Sequence, residues 1–538
     1  LTKNKPLFPV WTHLFWFLIA ALLVLGVLNG AKLLGFVPHS AHSWRQSDCA
    51  SLSLNLWQDG FSFAPRVHNV IEGDGHTCAE FPFFYYLSAV WYPIFGDADW
   101  VMRGTTLLCW LSGLFAFSRL IWHFSDNRFW AIGLPMLLLS APILVFYGIN
   151  YLPNVPTLGL VFIGWLCYFY FYTTRKNGWL WAFQFVFLLA ATIKPTVLVS
   201  WAAIGLVQLI FDRRILGGGL SWAFVLAGTV GWRIWVTNYN EIHHSTPFFL
   251  SKIMPIWKTD GEDRLRIWNM FATLWHKHIA FMGFHVAIIL LALSLTIHFF
   301  QKRKEKNSSF AGIEASPSLR GGWGGTYWGG HLLVFSWLVL LGNLTYLSLW
   351  AIQLEHHDYY FIETFTFPAA VLLWFADFWK HKKNIQNIVN QRIIYSLFVV
   401  FLAFNVAHSY EIIWKVRYEK TNPFVKDAPM ITPHKNELRN WLTTNGVAKS
   451  DTIVTLPDGT PNHVLYFCNR VGLSRYNWGV GKGAPRVAWL RSLVRERGVK
   501  FLVITDLQDS ACDSVRNALP KPISTFENSI FLYDLRNF

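Results

Sequence analysis

Long apolar runs, each near the thickness of a bilayer and separated by short polar turns, restrict this chain more than any other feature. They fall at roughly 11–36, 101–122, 129–149, 155–174, 178–193, 196–211, 219–236, 279–300, 330–350, 361–379 and 393–412. About 20 apolar residues in a helix span a hydrocarbon core, and lipid leaves the backbone to satisfy itself in helices or closed barrels. The expected fold is therefore a polytopic α-helical membrane protein of about eleven transmembrane helices. The first run follows Lys3 and Lys5 as a secretory leader would. Its apolar core exceeds the ~7–15 residues of a leader and no small-residue cleavage site follows, so it is read as a retained span. Leu1 in place of Met predicts a trimmed or alternative start.

Composition agrees: 53% of residues are hydrophobic and 14% charged, against ~25% charged in soluble domains. The net charge of +15 would suit a nucleic-acid binder if it formed a face. It lies instead in short clusters between spans, at Arg175-Lys176, Arg213-Arg214, Lys302-Arg303-Lys304 and from Lys380 to Lys383. That is the pattern of cytoplasmic loops, and it excludes nucleic acid as a partner. With the N-terminus inside, every cluster falls on the cytoplasmic side. The loops at 37–100, 150–154, 194–195, 237–278 and 351–360 then fall outside, as does everything after 412.

Residues 1–412 form the expected membrane domain, with a Gly- and Ser-rich stretch at 301–328 as a flexible cytoplasmic loop. Residues 83–96 are apolar but too short to cross, which suits an interfacial helix. From 413 to 538 the pattern changes. Strands are expected at 451–456, 500–506 and 529–535 and helices at 434–445 and 484–497, a small soluble α/β domain outside the membrane.

The chemistry-bearing residues concentrate in the outer loops. The loop 37–100 is long and polar, and loops of that length are usually functional. Within it Asp48 sits in Trp44-Arg45-Gln46-Ser47-Asp48, close to the membrane surface. Such a carboxylate is either hydrogen-bonded structure or a general base, and Arg45 is placed to pair with it. Arg45, Arg103 and Lys194 break the positive-inside pattern, and Lys194-Pro195 lies between two apolar runs. A cation there either snorkels or meets an anion, and a lipid phosphate is the anion at that depth. His356-His357-Asp358-Tyr359-Tyr360 precedes a late span. Adjacent histidines do not share a helix face, so hydrogen bonding fits them better than metal. Cys49 and Cys78 share one loop, and Cys468 and Cys512 share the tail. Either pair could form a disulfide in an oxidising compartment; buried free thiols are the alternative.

In order along the chain, the first-loop Asp48 string, Glu80-Phe81-Pro82-Phe83-Phe84-Tyr85-Tyr86, Arg103, Lys194-Pro195 and His357-Asp358-Tyr359-Tyr360 resemble the GT-C superfamily of membrane glycosyltransferases. The similar branch contains protein O-mannosyltransferases and the bacterial aminoarabinose transferase of lipid A. The resemblance implies a GT-C-like fold in a bacterial inner membrane. It implies transfer of a sugar from a polyprenyl-phosphate donor to a lipid, glycan or protein acceptor at the outer face. Asp48 would be the base, with inversion at the anomeric carbon, and Glu80 a second carboxylate. Lys194, Arg45, Arg103, His357 and Tyr359 would hold the donor's phosphate. There are departures: Cys49 follows Asp48 where many relatives carry an Asp-Glu pair, and Asn150 to Asn154 stand where relatives often have an Asp. The sequence assigns no cofactor; a divalent cation stays open, with no ligand spacing to support it. A flippase of lipid-linked glycans and a non-catalytic membrane scaffold are the alternatives.

Overall fold

The computed structural model describes residues 9–70, 73–212, 219–245, 253–309, 328–381, 388–418, 435–478, 485–506 and 512–538. Every expected apolar run is helical over most of its length. Among the described residues eight helices are long and apolar enough to cross a membrane, nine if a bent pair counts as one span. The two remaining runs of the about eleven expected are helical as well but fall below that threshold. Asn177–Ile193 has 17 residues, and Gly219–Ile242 is polar enough toward its end, with Arg233 and Glu241, to fall short.

The bent pair corrects the third expected span. Arg128–Leu139 and Pro142–Gly148 meet at 77°, because Pro142 holds Ala141 in an extended conformation with ψ 131°. Close helix contact elsewhere depends on glycine. A Cβ on Gly113 would lie 2.2 Å from the Gly159 Cα, so Asp99–Ser125 and Asn154–Thr174 pack backbone to backbone. The last helix, Ile388–Glu411, continues as a π-helical turn, Ile412–Arg417, past the boundary expected at 412. Of the loop expected at 301–328, the helix Met282–Ser309 takes the first part; 310–327 lie outside the described residues, as do Arg213-Arg214 and Lys382-Lys383.

The two ends of the bundle differ. At one end ion pairs join Arg175 to Asp212 at 3.0 Å and Lys380 to Asp126 at 2.9 Å, the basic end of the expected topology. At the other end the 37–100 segment, the turn at 194–195, the 351–360 turns and the C-terminal domain come together. The interfacial stretch there divides into Phe83–Ala89 and Tyr92–Phe95, and Trp91, Ile94 and Phe95 remain exposed, as interfacial side chains would be.

The 37–100 segment is not an irregular loop. Its core is a helix, Ser43–Gln58, with almost every side chain buried from Ser43 to Leu56. Asp48, Ser51 and Asn55 repeat at i, i+3 and i+7 along one stripe. Each is bonded: Asp48 to Asn462, Ser51 to His68 and Asn55 to the Arg66 carbonyl.

The C-terminal domain holds strands β1 (Ile453–Leu456), β2 (Gly472–Ser474), β3 (Phe501–Ile504), β4 (Ser524–Phe526) and β5 (Ile530–Asp534), in sheet order β2-β1-β3-β5-β4. The three expected strands are β1, β3 and β5. β1 runs parallel to β2 and β3, and β5 antiparallel to β3 and β4. The central β1 and β3 are buried at every position, which explains their continuous apolar runs. The free edge of β2 is covered by the 37–100 segment: Val70 N–H donates to the Gly472 carbonyl and Gly472 N–H to the His68 carbonyl, both at 2.9 Å. A covered edge cannot recruit another chain.

Candidate functional site

The buried polar residues of the loop-rich end form a connected set. Asp48 is fully buried, and its Oδ1 accepts a hydrogen bond from Asn462 Nδ2 at 2.8 Å. Its Oδ2 has no hydrogen-bond partner among the described residues; the nearest cation is Arg45 Nη1 at 3.9 Å. Arg45 lies one helical turn before Asp48, so both point to the same side. The other guanidinium nitrogen, Nη2, reaches Glu80 Oε2 at 3.1 Å. Glu80 Oε1 binds Lys194 Nζ, and Oε2 accepts from the Tyr85 hydroxyl at 2.9 Å. Asp48, Arg45, Glu80 and Lys194 thus alternate in charge across three segments of the chain.

The two carboxylates differ in electrostatics. Burial pushes Asp48 up to about 7, and Arg45 and Asn462 only partly oppose it. Burial acts on Glu80 too, but Lys194 and Arg45 outweigh it and hold that carboxyl at about 2. One group titrates near neutrality and the other stays ionised, the arrangement that separates a proton acceptor from a permanent charge.

His357 and Tyr359 stack at 5.2 Å, with Trp44 5.9 Å from His357. Burial, aided by His42, lowers His357 to about 3, so it is a neutral imidazole and not a cation. Tyr359 lies within the electrostatic reach of Arg45 and Glu80. Arg103 has a different set of partners from the one expected. It donates to the Ile149 and Val37 carbonyls at 2.6 and 3.1 Å and to Gln46 Oε1 at 3.2 Å, with its guanidinium over the Tyr151 ring at 4.7 Å. These partners make it a clamp between the first segment and the Ile149 turn. Asn154 donates to Glu363 Oε1 at 3.0 Å.

None of the six cysteines is in a disulfide, so neither candidate pair is joined. Among the described residues no three of His, Cys, Asp and Glu gather as a metal site.

Next to Lys194, beginning at Pro195, an apolar groove of about 510 Å³ lies between the helices Leu198–Asp212 and Gly329–Leu349. Leu198, Leu206, Leu338, Leu341 and Trp350 line it.

Sequence reasoning missed Asn462 and Tyr85. Tyr85 stands inside a motif already singled out. Asn462 is 414 residues from its partner and has no local signal.

No family model matches the chain, and no curated protein does. Solved structures do. The chain is similar to ArnT from Cupriavidus metallidurans in the apo state, with TM-score 0.57 and 14% identity over 96% of this chain and 97% of that one. It is similar to the same protein bound to undecaprenyl phosphate, with TM-score 0.56 and 12% identity over 97% and 98%. From the first helix to the C-terminal sheet, the chain shares the fold of ArnT.

Proposed function

We propose that this protein is a membrane glycosyltransferase that moves a sugar from a polyprenyl-phosphate donor to an acceptor at the loop-rich end, with Asp48 as general base. The observation that carries the reading is Asp48 itself: a sealed carboxylate with one oxygen unpartnered, titrating near neutrality beside fixed cations. Leaving a buried carboxylate oxygen without a hydrogen bond is costly, and here that oxygen lies beside Arg45 among the outer-loop residues.

The apolar groove beginning at Pro195 takes the polyprenyl chain, and Lys194 and Arg45 face the phosphate. That the ArnT fold holds undecaprenyl phosphate supports this donor class. In the reaction Asp48 Oδ2 takes the proton of an acceptor hydroxyl while its oxygen attacks the anomeric carbon. The bond from that carbon to the phosphate oxygen breaks, and the phosphate leaves with the electron pair on the opposite face, so configuration inverts. Lys194 and Arg45 stabilise the charge that collects on the leaving phosphate. Glu80 holds both cations in place, and the neutral His357 donates a hydrogen bond to the phosphate or sugar, with Tyr359 stacked behind it. Arg103 supports the site by fixing the Gln46 turn. The acceptor is a lipid, glycan or protein hydroxyl. The protein works in a bacterial inner membrane with its loop-rich end outside.

The test is glycan and lipid profiling of a deletion strain complemented with wild type or Asp48→Asn at matched membrane levels. A general base contributes about 10²–10⁴-fold, so Asp48→Asn is expected to leave the missing sugar unrestored. Full restoration would remove Asp48 as the base.

A further inference from the structure

Among the described residues, the hydrogen bond on Asp48 comes from the C-terminal domain. Asn462 lies between β1 and the helix His463–Cys468. Asp458 orders this connection: its Oδ1 accepts from Thr460 N and Oγ1 at 2.9 and 2.6 Å, and its Oδ2 from Val464 N at 2.9 Å. The Asn462 amide is fixed at both ends. Oδ1 accepts the Asn69 N–H at 2.8 Å, which leaves Nδ2 as the atom facing Asp48. A backbone donor on one side removes the usual ambiguity in amide orientation.

The neighbouring contacts hold the same register. Ser47 Oγ and His463 Nδ1 are 2.8 Å apart. The Asn69 side chain donates to the Pro461 carbonyl at 2.8 Å and exchanges amide bonds with Asn477 at 2.9 and 3.1 Å. At Gly472, where the 37–100 segment joins β2, an added Cβ would lie 2.0 Å from the Ile453 carbonyl oxygen. That clash lies within the C-terminal sheet: β2 pairs with β1 too closely for a side chain at the residue that also meets the 37–100 segment.

The geometry points to Asn462 as a positioning residue: by holding one oxygen of Asp48, the C-terminal domain turns the other toward the acceptor and completes a site otherwise built by the membrane domain. The inference rests on the reading of Asp48 as the base. A carboxylate has one soft torsion beyond its rotamer, and a donor on Oδ1 fixes it. The charged and titratable groups around Asp48 are Arg45 on its own helix, Glu80 from the first segment, and Asp458 and Tyr476 from the C-terminal domain. Arg45 and the Asn462 bond favour the charged form, while burial, Asp458 and Glu80 oppose it. Removing the Asn462 donor therefore moves the titration of Asp48 upward as well as loosening its orientation.

The experiment uses spheroplasts of the deletion strain carrying wild type, Asp48→Asn, Asn462→Leu, Asn462→Ser or Asn477→Leu. Incorporation of the missing sugar from the cell's own donor is followed from pH 5.5 to 9, per mole of full-length protein in the membrane. For Asn462→Leu the acidic limb is expected to move up by about one pH unit, with about a tenfold loss at neutral pH that partly recovers in alkali. Asn477→Leu breaks a neighbouring interdomain bond, to the Asn69 side chain, and leaves the Asn462 donor on Asp48 in place, so it is expected to keep the wild-type limb. Asn462→Ser, smaller and still a donor, takes the place of the leucine variant if that fails to accumulate, with an intermediate shift expected. If Asp48→Asn is inactive but Asn462→Leu or Asn462→Ser keeps the wild-type rate and limb, the positioning role is wrong while the base stands. A limb moved equally by Asn477→Leu also overturns it, because the effect is then general loosening. Wild-type transfer by Asp48→Asn removes the base, and the inference with it.

Discussion

Asp48 and Asp358 are both sealed in the loop-rich end, and their surroundings are opposite. Asp358 Oδ2 binds Arg417, and Oδ1 accepts from the Tyr147 hydroxyl at 2.5 Å with His42 Nε2 at 3.3 Å. Arg417 in turn lies over the Phe146 ring at 4.2 Å, and its carbonyl accepts from Ser40. Among the described residues Asp48 has one hydrogen bond, from a distant domain, and one oxygen without any. Buried polar groups are normally satisfied because leaving one open is costly. A saturated acid such as Asp358 is a knot that ties the last helix to the first segment. An acid left half open at a similar depth, as Asp48 is, has an oxygen that can accept a proton.

The contrast breaks most sharply by substitution at Asp358. Asp358→Asn leaves Arg417 buried without its counter-charge, and opening one half of a buried pair costs about 3–5 kcal/mol. The expected result is a large fall in the melting temperature of the detergent-purified protein. Asp48→Asn should do the reverse. Because burial raises the folded carboxyl from 3.8 to about 7, the unfolded chain releases this proton more readily, and stability is lost as pH rises between those values. A neutral Asn is free of that penalty, so at neutral pH the variant should melt no lower than wild type while losing transfer. Equal melting losses in the two variants would erase the distinction.

Lys194 sharpens the comparison from the side of the phosphate. Lys194→Met removes one of the two cations on Glu80 and leaves Arg45. If these cations serve the leaving group, transfer should fall by about 10²-fold, the usual loss for one transition-state donor. The fall should appear in the maximal rate at saturating donor. A purely structural Lys194 would instead lower the melting temperature and leave the rate per folded molecule unchanged.

The pH dependence gives the next effect in size. Asp48 must be ionised to take a proton, so transfer should decline as pH falls through about 7, by about tenfold per unit well below it. Glu80, held at about 2, stays charged throughout and adds no limb. A flat profile from pH 5.5 to 8 would place the proton acceptor elsewhere.

How much of this was legible in the sequence depended on whether a residue's environment is local. The spans were, because lipid imposes a length and a composition on each one. The Pro142 break was missed because an apolar run continues through it with no change of composition. The helix Ser43–Gln58 was read as loop because it is buried on nearly every face by polar and apolar neighbours alike, so it has no amphipathic stripe. Asp48, Glu80 and Lys194 stood out as charges beside apolar runs, where charge is costly. Arg103 stood out for the same reason, and its Nη atoms meet two backbone carbonyls and Gln46, partners that no sequence spacing announces. Asn462 could not be found at all, since an Asn before a short helix reads as a cap.

The smallest expected effect tests a third kind of surrounding, between the saturated acid and the bare one. Asp97 and Asp99 join the membrane domain to the C-terminal domain through Lys435 and Arg439. Lys435 Nζ reaches Asp99 at 2.9 Å and Arg439 Nη1 reaches Asp97 at 2.5 Å. Lys435→Ala removes one cation, but Asp99 keeps the Tyr151 hydroxyl at 2.7 Å and Asp97 keeps Arg439. With both acids still partnered, the loss should be about 1 kcal/mol, that of one ordinary interaction. It should appear as a shift of a few degrees in melting with the acidic limb unmoved. A displaced limb at unchanged melting temperature would mean that Lys435 sets how the domain presents Asn462 to Asp48, so that docking and base orientation are a single adjustment.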